Sequence, residues 1–280
     1  MFTSEDIAEY YNLTQVHYEK WWDLRNTLSL HYGIWDDTTN NFKEALVNTN
    51  KVLMNICEIK DGDKILDAGC GVGGAAFFLS QKKNVSVTGI TLSERQVAFA
   101  SNLVKKLHLS NAPEFLIMDY TNTSFDDESF DVIWACESFS SAPEKKLFVN
   151  EAYRLLKPGG KLILSDYFLT SQGSTEDDLL IKKWGQTWSI SNLITIENFH
   201  DQLTTAGFAN IQLYDYTRQI TKSAKRMYFA SLLACIPSET YNFFNRNVSR
   251  FAKHHYKSGY YQYKALKKGL WKYRVVCCEK

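Results

Sequence analysis

The chain has 280 residues, 45% of them hydrophobic and 22% charged, with a formal net charge of +1. That is enough material for one large domain, or a domain with a cap, and the composition excludes disordered, collagenous and disulfide-scaffold classes. No apolar run reaches bilayer-spanning length, and the opening MFTSEDIAEYYN lacks the parts of a secretory leader. The six cysteines have no framework or CxxC spacing, so the expectation is a reducing, cytoplasmic setting and no metal site. The small net charge hides an asymmetry. Arg218 to Lys280 holds 14 Lys or Arg against Glu239 and Glu279, a charge of +12 that leaves −11 on residues 1–217.

Residues 4–35 are dense in aromatics (Tyr10, Tyr11, Tyr18, Trp21, Trp22, Tyr32, Trp35), and their early part reads as a helix capped by Thr3 or Ser4. Phe42–Cys57 has helical spacing. An alternation follows: strand 64–67, helix 74–81, strand 85–91, helix 94–107, strands 114–119 and 130–137, helix 145–156, and strand 161–166 after a Pro-Gly-Gly turn. Such alternation predicts a parallel sheet with helices on both faces, and right-handed crossovers put the carboxyl ends of the strands on one ligand-binding edge. After Asp166 come helices 177–189 and 195–206, the second stopped by Gly207, and strand 209–215. A mostly helical stretch from Lys222 to about Tyr256 is interrupted at Pro237, and a last strand covers 271–278.

The sharpest motif is Asp67-Ala68-Gly69-Cys70-Gly71-Val72-Gly73-Gly74, placed between a strand and a helix. Its glycines permit a tight turn and close approach of backbone to a ligand. The D-x-G-x-G-x-G spacing differs from the dinucleotide G-x-G-x-x-G, and the next strand ends at Thr91 instead of an acid. A nicotinamide enzyme is therefore the weaker reading.

This loop resembles the first motif of class I S-adenosylmethionine (SAM)-dependent methyltransferases. Leu155-Leu156-Lys157-Pro158-Gly159-Gly160 resembles their later turn, and Phe130-Asp131-Val132-Ile133 their strand before the substrate edge. Gly89-Ile90-Thr91-Leu92-Ser93-Glu94-Arg95-Gln96 and the Tyr11…Trp21-Trp22…His31-Tyr32-Gly33 pattern look like the cyclopropane-fatty-acid synthase, sterol and tocopherol methyltransferase group. The resemblance implies a Rossmann-like, mostly parallel seven-stranded sheet. It implies a helical cap at 1–58, a SAM-binding core at 59–217, a helical lid at 218–270 and a last core strand at 271–280. It also implies SAM as cofactor, S-adenosylhomocysteine as product, and a small-molecule methyl acceptor.

Carried onto this chain, the resemblance puts Gly69, Cys70, Gly71 and Gly73 along the methionine and ribose, with Asp67 orienting the loop or the methionine amine. Thr91, Leu92 and Gln96 approach the ribose. Asp119 accepts from the adenine amino group, with Met118 and Tyr120 beside it. Tyr11, Tyr32 and Trp35 are candidates to cap the sulfonium with ring faces. Cys136 and Glu137, at the end of the strand that faces the acceptor, are also placed among the cofactor-binding residues. Glu137 would orient the acceptor or act as base, and Ser141 stands where relatives often have a His. His17, His31 and Tyr32 complete the catalytic candidates, imidazole being suited to proton transfer near neutrality. Tyr167, Trp184 and Trp188 are expected either to wall the acceptor site or to pack a helix on the sheet. The basic, aromatic segment after 218 reads as a solvated lid or as a contact for an anionic membrane surface, with nucleic acid a weak option. The favoured function is methylation of a hydrophobic or amphipathic small molecule. The alternatives are methylation of a small amine such as sarcosine or dimethylglycine, and a non-catalytic SAM-binding regulator.

Overall fold

The computed structural model describes residues 2–21, 24–107, 111–170, 175–245 and 247–280, and the side chains of 17–21 and 25 also lie outside the description. Three helices open the chain: α1 (Ser4–Trp21), α2 (Leu24–Thr27) and α3 (Phe42–Cys57). Thr3 caps α1, its hydroxyl accepting from Asp6 N–H (3.2 Å) while Asp6 accepts from Thr3 N–H (3.1 Å). The core then runs β1 (Lys64–Ala68), α4 (Gly74–Lys82), β2 (Ser86–Thr91), α5 (Glu94–Leu107), β3 (Glu114–Ile117), β4 (Phe130–Cys136), α6 (Lys145–Leu155) and β5 (Leu156–Leu169). It continues through α7 (Thr175–Trp188), α8 (Ile196–Ala206) and β6 (Ala209–Asp215). Helices α9 (Thr217–Phe244), α10 (Arg250–His254) and α11 (Ser258–Lys267) precede β7 (Trp271–Glu279).

The seven strands form one sheet in the order β3-β2-β1-β4-β5-β7-β6, and only β7 runs antiparallel to its neighbours. Strands buried on both faces read as continuous apolar runs, and these do. Alternate residues serve opposite faces. Leu66, Ile133, Leu162 and Val276 join one core cluster with Phe148 and Phe199, and Ile65, Trp134, Ile163 and Val275 join the other with Leu53 and Phe77.

Strand β3 stops at Ile117, short of the expected 119, and two further elements differ more from the sequence expectation. Strand β5 begins at Leu156 and includes the Pro-Gly-Gly turn. Leu156 pairs with Phe130 ahead of a register shift, and Gly159 and Gly160 exchange hydrogen bonds with Lys280 (both 2.9 Å), which stitches the turn into the sheet. Helix α9 runs straight through Pro237, where an interruption was expected. The carbonyl deprived of a donor by this proline belongs to Leu233, which is exposed, so water can satisfy it.

The N-terminal segment and the helices after β6 interlock over the carboxyl edge of the sheet. The Ser223 hydroxyl accepts from Gly33 N–H (3.1 Å) and Trp35 Nε1–H (2.9 Å), and the Tyr32 hydroxyl donates to Gln262 (2.8 Å). Gln262 in turn donates to Ala224 and Gly259 carbonyls, fixing α9 against α11. Beneath lies a third core cluster containing Tyr32, Tyr167, Trp184, Met227, Trp271 and Tyr273. Trp271 is fully buried in it, donates Nε1–H to Gln262 O (3.0 Å) and lies 5.0 Å from the Trp184 ring. Trp271→Ala is expected to cost about 3–5 kcal/mol by urea unfolding. A loss under about 1 kcal/mol would mean that these helices are not packed on the sheet through this residue.

Candidate active site

The glycine loop joins the end of β1 to the start of α4. Gly69 and Cys70 N–H both donate to Ile90 O (2.9 Å each), which pins the loop to the end of β2. Gly69 has φ +84°, and a Cβ there would stand 2.3 Å from Ser138 Cβ. A side chain at this position is excluded twice, by backbone conformation and by contact. Gly74 is held by contact alone, because its Cβ would stand 2.0 Å from Leu28 O, where the chain between α2 and α3 crosses the start of α4.

Around the loop lies an open cleft of about 1050 Å³, counting the solvent space at its mouth. It collects Tyr11, His31, Asp67, Gly69, Cys70, Gly71, Thr91, Leu92, Gln96, Tyr120, Cys136 and Glu137 from the sequence-derived set. The sequence did not single out Leu28, Leu30, Val72, Ala75, Ser138 and Ile190, which also line it. Small and aliphatic wall residues leave no chemical signal to find. Thr91 donates its hydroxyl proton to Gln96 Oε1 (2.7 Å), and Tyr120 donates to Ser138 O (2.7 Å).

Gly73, Met118 and Asp119 are not among the lining residues. Asp119 Oδ1 accepts from the Thr121 N–H (2.8 Å) and hydroxyl (2.7 Å), and its Oδ2 accepts from the Ser4 hydroxyl (2.7 Å). It closes a turn beneath the first residue of α1. Trp35 lies away from the cleft, under Lys222 at 5.0 Å. Trp184 is fully buried packing, whereas Tyr167 and Trp188 face the cleft. The side chains of His17, Tyr18, Trp21 and Trp22 lie outside the described residues.

Asp67 sits on the floor of the cleft. Its carboxylate takes the Ala76 N–H from the first turn of α4, yet burial dominates and pushes the group up to about 7. Oδ2 is buried without a hydrogen-bond partner. An unpaired buried carboxylate oxygen costs stability on its own, and a ligand ammonium is the chemistry that would complete it.

Glu137 follows β4 with φ +52°, a conformation that L side chains rarely adopt. Its N–H donates to Ser165 O (2.8 Å). Oε1 accepts from Tyr32 N–H (2.6 Å) and the Tyr273 hydroxyl (2.8 Å), and Oε2 accepts from the Tyr167 hydroxyl (3.2 Å). Despite these donors, burial and then the nearby Asp166 push Glu137 up to about 8. Tyr273 was not foreseen, because which partner each β7 residue meets depends on register across the sheet. His31 donates from Nδ1 to Tyr32 O (2.9 Å), since a carbonyl can only accept. That leaves Nε2 as the bare acceptor. Burial pushes His31 down to about 4, so it is neutral near pH 7.

Behind this wall Lys145 donates to the Ser140, Ala142 and Ser191 carbonyls (2.7, 2.7 and 2.9 Å), and Asp166 accepts from Ser140 and Tyr167 N–H (2.8 Å each). Together they hold the loop after β4. Among the described residues no three His, Cys, Asp or Glu converge as a metal site, and no helix is long and apolar enough to cross a membrane.

A second, open chamber of about 2140 Å³, counting the solvent space at its mouth, lies between α1, α9 and α10. Its wall combines Leu13, Val16, Met227, Ala230, Ala234 and Val248 with neutral polar groups such as Ser231, Tyr241, Asn242 and Asn245. Tyr32 lines this chamber and not the first. Leu30, His31, Glu137 and Trp188 line both, so the two spaces meet at those four residues.

The geometry has counterparts among known proteins. Residues 66–164 match the methyltransferase domain family. The chain is 32% identical to 27-O-demethylrifamycin SV methyltransferase of Amycolatopsis mediterranei (strain S699), over 75% of this chain and 79% of that protein. Among solved structures it shares the fold of the cyclopropane synthase MmaA2 from Mycobacterium tuberculosis (TM-score 0.84, 17% identity, 100% of this chain and 99% of that one). It also shares the fold of geranyl diphosphate C-methyltransferase from Streptomyces coelicolor A3(2), solved with Mg2+, geranyl diphosphate and S-adenosyl-L-homocysteine (TM-score 0.75, 17% identity, 99% and 97%). With the glycine loop, the unpaired Asp67 oxygen and the sheet order all in agreement, the chain belongs to the SAM-dependent methyltransferases.

Proposed function

We propose that this enzyme transfers the SAM methyl group to an amphipathic small molecule held in the chamber beneath α9. The observation that carries this reading is the meeting of two spaces at Leu30, His31, Glu137 and Trp188. One space has the glycine loop and an unpaired carboxylate oxygen, and the other has apolar walls with hydroxyls and amides. Such a wall suits an apolar body bearing a few polar groups, as in a natural-product or isoprenoid acceptor. It is far larger than a small amine such as sarcosine needs.

SAM, when bound, supplies a methyl group already activated on a sulfonium. The chain supplies alignment, dryness and proton handling. Asp67 Oδ2 receives the ligand ammonium, while Gly69, Cys70 and Gly71 give the backbone room to approach it. Thr91 and Gln96 face the ribose. Tyr11 and Trp188 present rings near the transferring group, which favours a cation. A positive charge beside Glu137 would draw its proton off and leave a carboxylate held by Tyr32, Tyr167 and Tyr273. Glu137, once ionised, orients the acceptor or takes its proton where one must leave, and the neutral His31 offers Nε2 as a hydrogen-bond acceptor beside it. The first 58 residues and residues 218–270 work as cap and lid over the core at 59–217, with 271–280 closing its sheet.

Calorimetry is expected to show SAM and S-adenosylhomocysteine binding that Gly69→Val abolishes. Asp67→Asn should weaken it roughly 10- to 100-fold, the worth of one charge-assisted hydrogen bond. If neither ligand gives heat with the unaltered protein, the cofactor assignment of these residues fails. Glu137→Gln should lower kcat about 10²-fold while SAM affinity stays within about 3-fold. Turnover equal to that of the unaltered enzyme would remove Glu137 from the chemistry.

Glu137 also sets a pH dependence of stability. Its ordinary value is 4.5 and in the ligand-free fold it stands at about 8, so across that window the native state keeps a proton the unfolded chain has lost. The contribution is complete below about pH 4.5 and is lost as pH rises through about 8. The ligand-free protein should therefore lose stability relative to Glu137→Gln between about pH 5 and pH 9, read from urea midpoints. Parallel curves for the two proteins would show that Glu137 is ionised in the free enzyme.

A further inference from the structure

Helix α9 uses opposite flanks for different purposes. One is buried through Ile220, Ala224, Met227, Ser231 and Ala234. The other repeats at three- and four-residue spacing and faces outward. Its first turns carry Arg218, Lys222, Lys225 and Arg226, all exposed. Its later turns carry Leu233 (74% exposed), Ile236 (79%), Phe243 (78%) and Phe244 (76%), with Phe229 at the junction. Side chains of this size, contiguous along one flank and left in water, mark an interaction surface.

We propose that this outer flank of α9 docks the protein onto an anionic lipid bilayer. The apolar half enters the boundary between headgroups and acyl chains, and the basic half meets lipid phosphates, as on interfacial helices. Charge selects this occupant. Arg218, Lys222, Lys225 and Arg226 are exposed on the same flank as the apolar row, whereas Arg250, Lys257, Lys268, Lys272, Arg274 and Lys280 pair with carboxylates elsewhere. Lys222 lies over the Trp35 ring at 5.0 Å and Lys225 over Phe229 at 6.0 Å, contacts that hold the stems without cancelling the charge. A second copy of the chain fits poorly. Laid parallel it would set like charges together, and laid antiparallel it would strip water from the cations against apolar side chains. The strip between the two flanks reaches the chamber, since Pro237 and Tyr241 line it and Tyr241 is 60% exposed. Docking would thus bring the chamber mouth beside the bilayer, a corollary that rests on the acceptor reading above; the docking itself does not.

Vesicle co-sedimentation tests this with the full chain and needs no methyl-transfer assay. Binding to phosphatidylcholine vesicles containing phosphatidylglycerol should exceed binding to phosphatidylcholine alone at least about 10-fold. It should fall about 10-fold when salt is raised from about 0.1 to 0.5 M. A triple variant (Ile236→Ser, Phe243→Ser, Phe244→Ser) and a separate Lys222→Glu, Lys225→Glu variant should each lose about 10-fold, with S-adenosylhomocysteine binding kept as the check on folding. The proposal is overturned by no binding to either vesicle, or by binding that a folded variant of either kind retains. It is equally overturned by light scattering that shows a dimer which the triple variant dissolves.

Discussion

One carboxyl group ties four separate parts of the chain together. Glu137 sits in a left-handed backbone conformation after β4 and takes hydrogen bonds from the N-terminal segment (Tyr32 N–H), from β5 (Tyr167) and from β7 (Tyr273). Its own N–H is fixed to β5 through Ser165. A non-glycine residue at positive φ costs on the order of 1–3 kcal/mol, and the conformation persists only where surroundings over-determine it. Here three donors and a β5 carbonyl do so. Because Tyr32 N–H and Tyr273 converge on the same oxygen, the cap cannot lift from the sheet without exposing a desolvated acid. That constraint fixes the wall where the two chambers meet, with His31 and Trp188 beside it.

The electrostatics of the free site follow from the same crowding. Asp67, Glu137 and Asp166 all ionise above the usual carboxylate range, because burial removes water from each and Asp166 adds its charge to that of Glu137. Only Asp166 has a cation nearby, Lys145, which burial itself pushes down to about 7. The cleft is therefore short of positive charge where it opens. A positive charge brought beside either acid would favour its ionised form.

Much of this architecture is legible in the sequence because it is local. The alternation of apolar runs and helical periods gave the sheet and its helices, and Gly69 marks a position where backbone and neighbour alike refuse a side chain. What local pattern could not supply is register and occupancy. Tyr273 meets Glu137 only because β7 runs antiparallel to β5 in one particular pairing, with Tyr167 opposite it. Gln262 reads as one more polar residue on a basic helix, yet it is wholly buried and joins Tyr32, Ala224 and Gly259. Asp119 is a further case: the resemblance places it at the adenine, and only the fold shows that Thr121 and Ser4 also donate to its two oxygens.

Helix α9 was the least legible element, for a physical reason. A helix with one apolar stripe shows a clear 3.6-residue period, but α9 has apolar residues on its buried flank, on the strip facing the chamber and on its outer flank. The period cancels, and Pro237 then reads as a break. A helix apolar on nearly all sides needs either full burial or more than one partner. Neighbouring elements bury one flank, part of which also lines the chamber together with the strip at Pro237 and Tyr241. A third flank rich in Phe and Ile is stable in water only at the cost of exposed apolar surface, which natural chains seldom leave uncovered without a use for it. The absence of period in α9 is thus itself the trace of three different surroundings along one helix.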